Sequence, residues 1–160
     1  MYKFKFLVHC LLLGVFFTVL QSSSCKKDDP APVPKTKKEL LILASWKLVK
    51  GEFRTSTSLP WTDGTSSVPV CQRDNVTTYK TDGSYEIDEG ATKCTPTAPQ
   101  MFETGNWVFQ NNETELKTTR TGSATSIIWG IEQISETSLI LTGSGDLGGT
   151  TYFLRSTFGH

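Results

Sequence analysis

The sequence predicts an all-β fold: about eight antiparallel strands preceded by one short helix. Two observations carry that expectation. From Ser45 onward, apolar and polar residues alternate in short runs, the period of half-buried strands. Nearly every run is joined to the next by a brief turn, with Asp82-Gly83 the strongest hairpin signal because glycine tolerates positive φ. Consecutive antiparallel strands of this kind build an up-and-down barrel or a two-sheet sandwich.

The elements follow in order. Thr36, with Glu39 three residues later, has the spacing of a capping box and starts a helix over residues 37–43. Its leucines, Leu40, Leu41 and Leu43, are expected to face the floor of the β fold. The first strand, 45–54, sets Trp46 and Leu48 on one face and Val49 and Phe53 on the other. Strands at 75–81 and 84–88 flank Asp82-Gly83. Residues 105–110 align Trp107 with Phe109, Asn111-Asn112 turns the chain, and 114–119 returns. Strand 125–134 aligns Ile127, Trp129 and Ile131, and 137–142 aligns Leu139 with Leu141. A glycine-rich turn is expected over 143–149, and 150–157 closes the set with Tyr152 and Leu154 aligned. Two longer connections, 55–70 and 90–104, break the rhythm, and loops of that length often carry function.

The first 24 residues have a different character. Lys3 and Lys5 precede a run over 7–20 that is apolar apart from His9 and Thr18, the length of a secretory h-region and short for a membrane span. Small residues Ser22-Ser23-Ser24 then stand before Cys25. This arrangement resembles the lipobox of bacterial lipoproteins, with Ser22 where that pattern prefers leucine. The resemblance implies cleavage before Cys25 and lipid on its thiol, with several acyl chains contributing roughly 0.8 kcal/mol per buried methylene. Residues 26–37 carry four lysines, two aspartates and three alternating prolines, an extended spacer of roughly 30 Å at about 3 Å per residue. Lys26-Lys27-Asp28-Asp29 resembles the lysine-acidic tag after the lipidated cysteine of some surface-exported lipoproteins. The domain reading is therefore a signal peptide over 1–24, a tether over 25–37 and a barrel over 38–160. The address it implies is the outer membrane, facing the cell surface or the periplasm.

Charge and cysteines bound the function. The chain has 16 basic and 16 acidic residues. Lys3 and Lys5 leave with the leader, so the remainder is mildly acidic at −2. No basic stripe points to nucleic acid. With Cys10 in the leader and Cys25 lipidated, Cys71 and Cys94 remain as one even pair in an oxidising compartment, where a disulfide is expected. It would tie both long loops to one end of the fold.

Catalytic chemistry finds little support. His9 belongs to the leader, and His160 is the last residue, where nothing in the sequence holds its imidazole. No set of soft ligands suggests zinc, and 143–149 lacks the lysine and helix of a phosphate loop. Glu86, Asp88 and Glu89, with Asp74, Asp82 and Glu103, are carboxylates without the spacing of a calcium loop, and are expected to be a solvated exterior. No enzyme activity, metal or cofactor is expected.

Four segments bring the chain to a family resemblance: residues 43–48 (LASWKL), 79–85 (YKTDGSY), 103–109 (ETGNWVF) and 134–141. In that order they resemble the lipocalin-like domain of small bacterial lipoproteins, over roughly residues 40–156. Such barrels open with Gly-x-Trp, and Ala44 holds the glycine position here. The resemblance implies a lipocalin-like up-and-down barrel, a tryptophan plug at Trp46, and Arg155 packed over Trp46 as a cation–π lid. It also implies a cup for a small apolar or glycan ligand, with Trp46, Tyr79, Tyr85, Trp107, Phe109 and Trp129 as lining or core. Fold alone does not supply a ligand. The alternative is a solid barrel that recognises an envelope protein through the 55–70 loop, with Trp61 as exposed anchor. An accessory subunit of an envelope complex would look the same in sequence.

Overall fold

The computed structural model describes residues 33–160. The leader, Cys25 and the tether as far as residue 32 lie outside the described residues. Helix α1 (Lys37–Leu41) starts on the expected capping box: Thr36 Oγ1 accepts from the Glu39 N–H, and Glu39 Oε2 accepts from the Thr36 N–H at 2.7 Å. The Thr36 N–H, and after it the Thr36 hydroxyl that donates to the same oxygen at 2.8 Å, hold the Glu39 carboxyl below its usual range. Only Leu41 of the three leucines is fully buried. Leu43 is exposed, because the helix ends after little more than one turn and the chain leaves it before Leu43 can turn inward.

Nine strands follow: β1 (Trp46–Arg54), β2 (Thr62–Asp63), β3 (Val76–Tyr79), β4 (Ser84–Asp88), β5 (Met101–Gln110), β6 (Glu115–Arg120), β7 (Ser126–Ile134), β8 (Leu139–Leu147) and β9 (Thr150–Gly159). All neighbours are antiparallel, and β9 returns to pair with β1 from Lys47↔Gly159 to Arg54↔Phe153. Setting aside the two-residue β2, eight strands close into an up-and-down barrel. Closure removes the free edges a sandwich would keep.

Three bulges re-aim side chains in ways the alternation alone did not show. In β1 the register to β9 shifts between Leu48 and Lys50, so Val49 is left over and points to solvent. Phe53 therefore regains the inner face, 6.1 Å from the Tyr152 ring, rather than sharing a face with Val49. The β7–β8 register slips at Glu132, and the β4–β5 register slips at Phe102. The expected glycine-rich turn over 143–149 is mostly strand: β8 continues through Leu147, and only Gly148-Gly149 turns, both at positive φ. β5 likewise starts at Met101, inside the 90–104 connection expected from the sequence.

The two barrel ends differ. At the lower end, where β1 begins, Trp46 is buried and its Nε1 donates to the Leu41 carbonyl at 2.8 Å. Around it pack Leu41, Tyr79, Tyr85, Trp107, Leu116, Leu139 and Leu141, with Ile131, Ile134, Phe109 and Phe158 against them. Tyr79 meets the Trp107 ring edge-on at 5.9 Å, and Trp107 meets Phe109 at 5.4 Å. The helix side is fastened by Lys35 to Glu136 and by Lys37 to the Glu113 carbonyl, each at 2.6 Å. His160 is not frayed. Its ring lies 4.3 Å from that of Trp46, and its nitrogens sit 2.9 and 2.8 Å from the Ser45 and Glu136 carbonyl oxygens.

Candidate functional site

The upper half of the barrel is hollow. A cavity of about 450 Å³ lies above the Trp46 core, within the usual span of small-molecule sites, roughly 300–1,000 Å³. Its walls come from side chains of one parity on successive strands. Thr77 and Tyr79 of β3 face Ile87 and Tyr85 of β4 across the ladder. Thr118 of β6 faces Ile127 of β7, Trp129 follows two residues later, and Leu141 and Phe158 complete the far wall. The surface is mainly apolar, and Phe102 and Ile127 are partly exposed near its opening.

One wall is incomplete, and the long 55–75 connection repairs it. β1 pairs with β3 through only two residue pairs, Trp46↔Thr77 and Lys47↔Val76. Higher up, β1 pairs with β2 instead, through Glu52↔Asp63 and Phe53↔Thr62. The chain crosses the gap as a 3-10 turn (Thr65–Ser67) and helix α2 (Val70–Arg73). Thr65 Oγ1 takes the Gly51 N–H at 3.0 Å, and Val68 and Gln72 reach the cavity. Cys71 is joined to Cys94, so α2 is fastened to the 89–100 loop at the same end. The expected disulfide is thus present, and it braces a segment of cavity wall as well as two loops.

Polar groups reach the cavity from several strands, and Glu103 is the charged residue among them. Glu103 of β5 lines the cavity and accepts a hydrogen bond from the Tyr85 hydroxyl at 2.5 Å, with Arg120 Nε 3.8 Å from its other oxygen. Burial, reinforced by that carboxylate, pushes the Tyr85 phenol well up. Burial alone does the same to Tyr79. Both therefore stay protonated donors across ordinary pH. Tyr85 can sit there because Gly105 lies opposite it: a Cβ on Gly105 would come within 2.6 Å of the ring and 2.3 Å of the Thr119 carbonyl.

The aromatic residues singled out from sequence divide into two groups. Tyr79, Tyr85 and Trp129 line the cavity, whereas Trp46, Trp107 and Phe109 build the core beneath it. Leu48, Ile87, Phe102, Thr118, Ile127, Leu141 and Phe158 were not singled out, although several share parity with residues that were, as Ile87 does with Tyr85. The Val68 and Gln72 contributions carry no sequence signal, since they depend on the gap between β1 and β3.

Arg155 does not cap Trp46. It points outward from the barrel wall, where Nη1 meets Glu52 at 3.3 Å and Nη2 meets Glu132 at 2.6 Å. The strand parity forces this, because its neighbour Ser156 holds the inward position. His160 takes the place beside Trp46 that Arg155 was expected to fill. Trp61 is half-buried on the same outer face, with the Arg54 guanidinium 4.2 Å and that of Arg155 5.9 Å from its ring, and so is not a freely projecting anchor. Among the described residues, no helix is long and apolar enough to cross a membrane, and no group of three or more His, Cys, Asp or Glu is placed to hold a metal.

Strand order, closure and a cavity open at one end make this a lipocalin-like barrel domain. No protein-family model matches the chain, and no curated protein does. Among solved structures, a lipocalin-like protein from Bacteroides uniformis ATCC 8492 is 12% identical, with a TM-score of 0.44 over 75% of this chain and 97% of that one. A DUF4847 family protein from Bacteroides vulgatus ATCC 8482 is also 12% identical, with a TM-score of 0.46 over 76% of this chain and 96% of that one.

Proposed function

We propose that the barrel is a non-enzymatic binding module that holds one small, largely apolar ligand in its upper cavity. The observation that supports this reading is the split interior: a packed floor around Trp46 and an apolar hollow above it, bounded by Trp129, Ile87 and Phe158. An eight-stranded barrel can fill itself or hold one small ligand, and here Trp46, Trp107 and Phe109 go to the floor and leave space above it. Burying an apolar tail against such walls yields roughly 25 cal/mol per Å² removed from water. The test is titration of the purified chain with ten-carbon amphiphiles, read by tryptophan fluorescence, beside a Thr118→Trp variant. Saturable binding that the filled variant loses while remaining folded supports the reading, and equal binding by both proteins rejects it.

The same reading includes the address. Cys25 carries lipid, the tether that follows it and ends before Lys35 lifts the barrel from an outer-membrane surface, and the cup faces either the cell exterior or the periplasm. Support comes from the leader and the serine run before Cys25. A disulfide between Cys71 and Cys94 suits an oxidising compartment. Mass spectrometry of the amino-terminal peptide tests it: an acylated Cys25 is expected, and an unmodified thiol rejects the anchor.

A further inference from the structure

The cavity wall carries one formal charge. Glu103 supplies it, and the other polar side chains that line the space bear only hydroxyls or carboxamides. Glu103 is the third residue of β5, and Trp107 and Phe109 of the same strand go down into the floor. Its carboxylate therefore stands toward the mouth. It also borders a recess outside the mouth, together with Thr104, Arg120 and Thr121.

One of its oxygens is taken and the other is open. Oε1 accepts from the Tyr85 hydroxyl. Oε2 accepts no hydrogen bond among the described residues, since the cation beside it, Arg120 Nε, is 3.8 Å away and beyond hydrogen-bond reach. Oε2 is not sealed in the protein either. The fully buried side-chain atoms without a partner among the described residues are Arg54 Nε, Arg73 Nε, Asn75 Oδ1 and Glu89 Oε2, and the Glu103 side chain keeps 20% of its surface.

Arg120 does little to cancel this charge within the cavity. Its side chain is 59% exposed and belongs to the outer recess, not to the cavity wall. An exposed ion pair of that length contributes little, whereas a charge placed among apolar walls acts more strongly than it would in water. A tail lying against Trp129, Leu141 and Phe158 leaves its head at the Glu103 end of the space. There an ammonium brings both N–H donors and opposite charge, a hydroxyl brings a donor alone, and a carboxylate is repelled.

We propose that Glu103 makes the cavity selective for cationic amphiphiles, with a protonated amine head paired to Glu103 Oε2 and an apolar tail in the hollow below. This inference rests on the cavity-binding reading above and adds the head-group class to it.

The test titrates three probes with ten-carbon tails into the purified chain near neutral pH by calorimetry: decylamine, monodecanoylglycerol and decanoate. Decylamine is expected to bind at least tenfold more tightly than decanoate, with the glyceride between them. Glu103→Gln removes the charge and keeps an oxygen for the Tyr85 hydroxyl, so the decylamine preference over decanoate should fall by tenfold or more. Arg120→Gln removes the opposing cation and should raise that preference. Ratios within one protein are read, so partial loss of folded protein cancels. Decanoate binding as tightly as decylamine in the unaltered chain, or a preference that Glu103→Gln leaves unchanged, overturns the head-group proposal and leaves the cavity reading standing. If Glu103→Gln does not fold, Arg120→Gln decides: a raised preference supports the proposal, and an unchanged or lowered one overturns it. Absence of binding by all three probes overturns both readings.

Discussion

Removing the Cys71–Cys94 bridge is the perturbation with the best-defined size. The two cysteines are 23 residues apart, and closing a loop of that length withdraws about 3.4 kcal/mol of conformational entropy from the unfolded chain. Against a typical stability of roughly 5–15 kcal/mol, that is a large share. The loss should not fall evenly. α2 is only four residues long, has no side-chain cap and buries no residue fully, so what fixes it to the 89–100 loop is the bridge together with the hydrogen bonds that Asp74, just after it, accepts from Ala91 and Thr92. Gln72 within it and Val68 just before it line the cavity where β1 and β3 part. The Cys71→Ala/Cys94→Ala double variant should therefore lose roughly 3 kcal/mol in urea denaturation, judged against the same chain with its bridge intact. Amides of 65–75 should exchange with solvent well before those of β5 to β9, and affinity for a cavity ligand should fall with them. A double variant within about 1 kcal/mol of the parent, with exchange at α2 unchanged, would refute this account of the wall.

Other outcomes follow from the same contacts. Trp46→Ala empties the centre of the floor and unpairs the Leu41 carbonyl, so urea denaturation should show a loss of about 3–5 kcal/mol. Gly105→Ala forces a methyl against the Thr119 carbonyl and Tyr85, and should cost about 1–3 kcal/mol. Tyr85→Phe on that background should recover little, because the ring carbons that meet the methyl remain. Alkaline pH tests the buried phenols. The folded-state pKa values of Tyr79 and Tyr85 are raised above the ordinary value near 10, so the unfolded chain releases its protons first. Their contribution is complete below about pH 10 and is lost as pH rises beyond it, so the urea midpoint should drop there. Tyr79→Phe with Tyr85→Phe should flatten that drop.

Much of the barrel was legible because alternation and turn chemistry are local. The capping box at Thr36 and Glu39, the Asp82-Gly83 hairpin and the inward rows Trp107–Phe109 and Leu139–Leu141 all follow from near neighbours in sequence. The bulges at Val49, Phe102 and Glu132 were not legible, since a bulge shows itself only against the partner strand. That is why Phe53 was assigned the wrong face. Arg155 was misplaced for a related reason: an expected cation–π lid ignored the parity that gives Ser156 the inner position. The cavity was legible as a possibility of eight strands, yet its existence depended on which aromatics went to the floor. That division is a three-dimensional fact, as is the closure of the β1–β3 gap by Val68 and Gln72. Glu89 was read from sequence as part of a solvated exterior, yet it is only 4% exposed.

The central claim is that the space above the Trp46 floor belongs to a ligand. It is tested most directly by a crystal of the chain grown with a monoacylglycerol whose ten-carbon tail ends in bromine. The anomalous bromine peak should fall between Trp129, Leu141 and Phe158. A bromine bound only on the outer face, or an interior closed by the protein's own side chains, would contradict it.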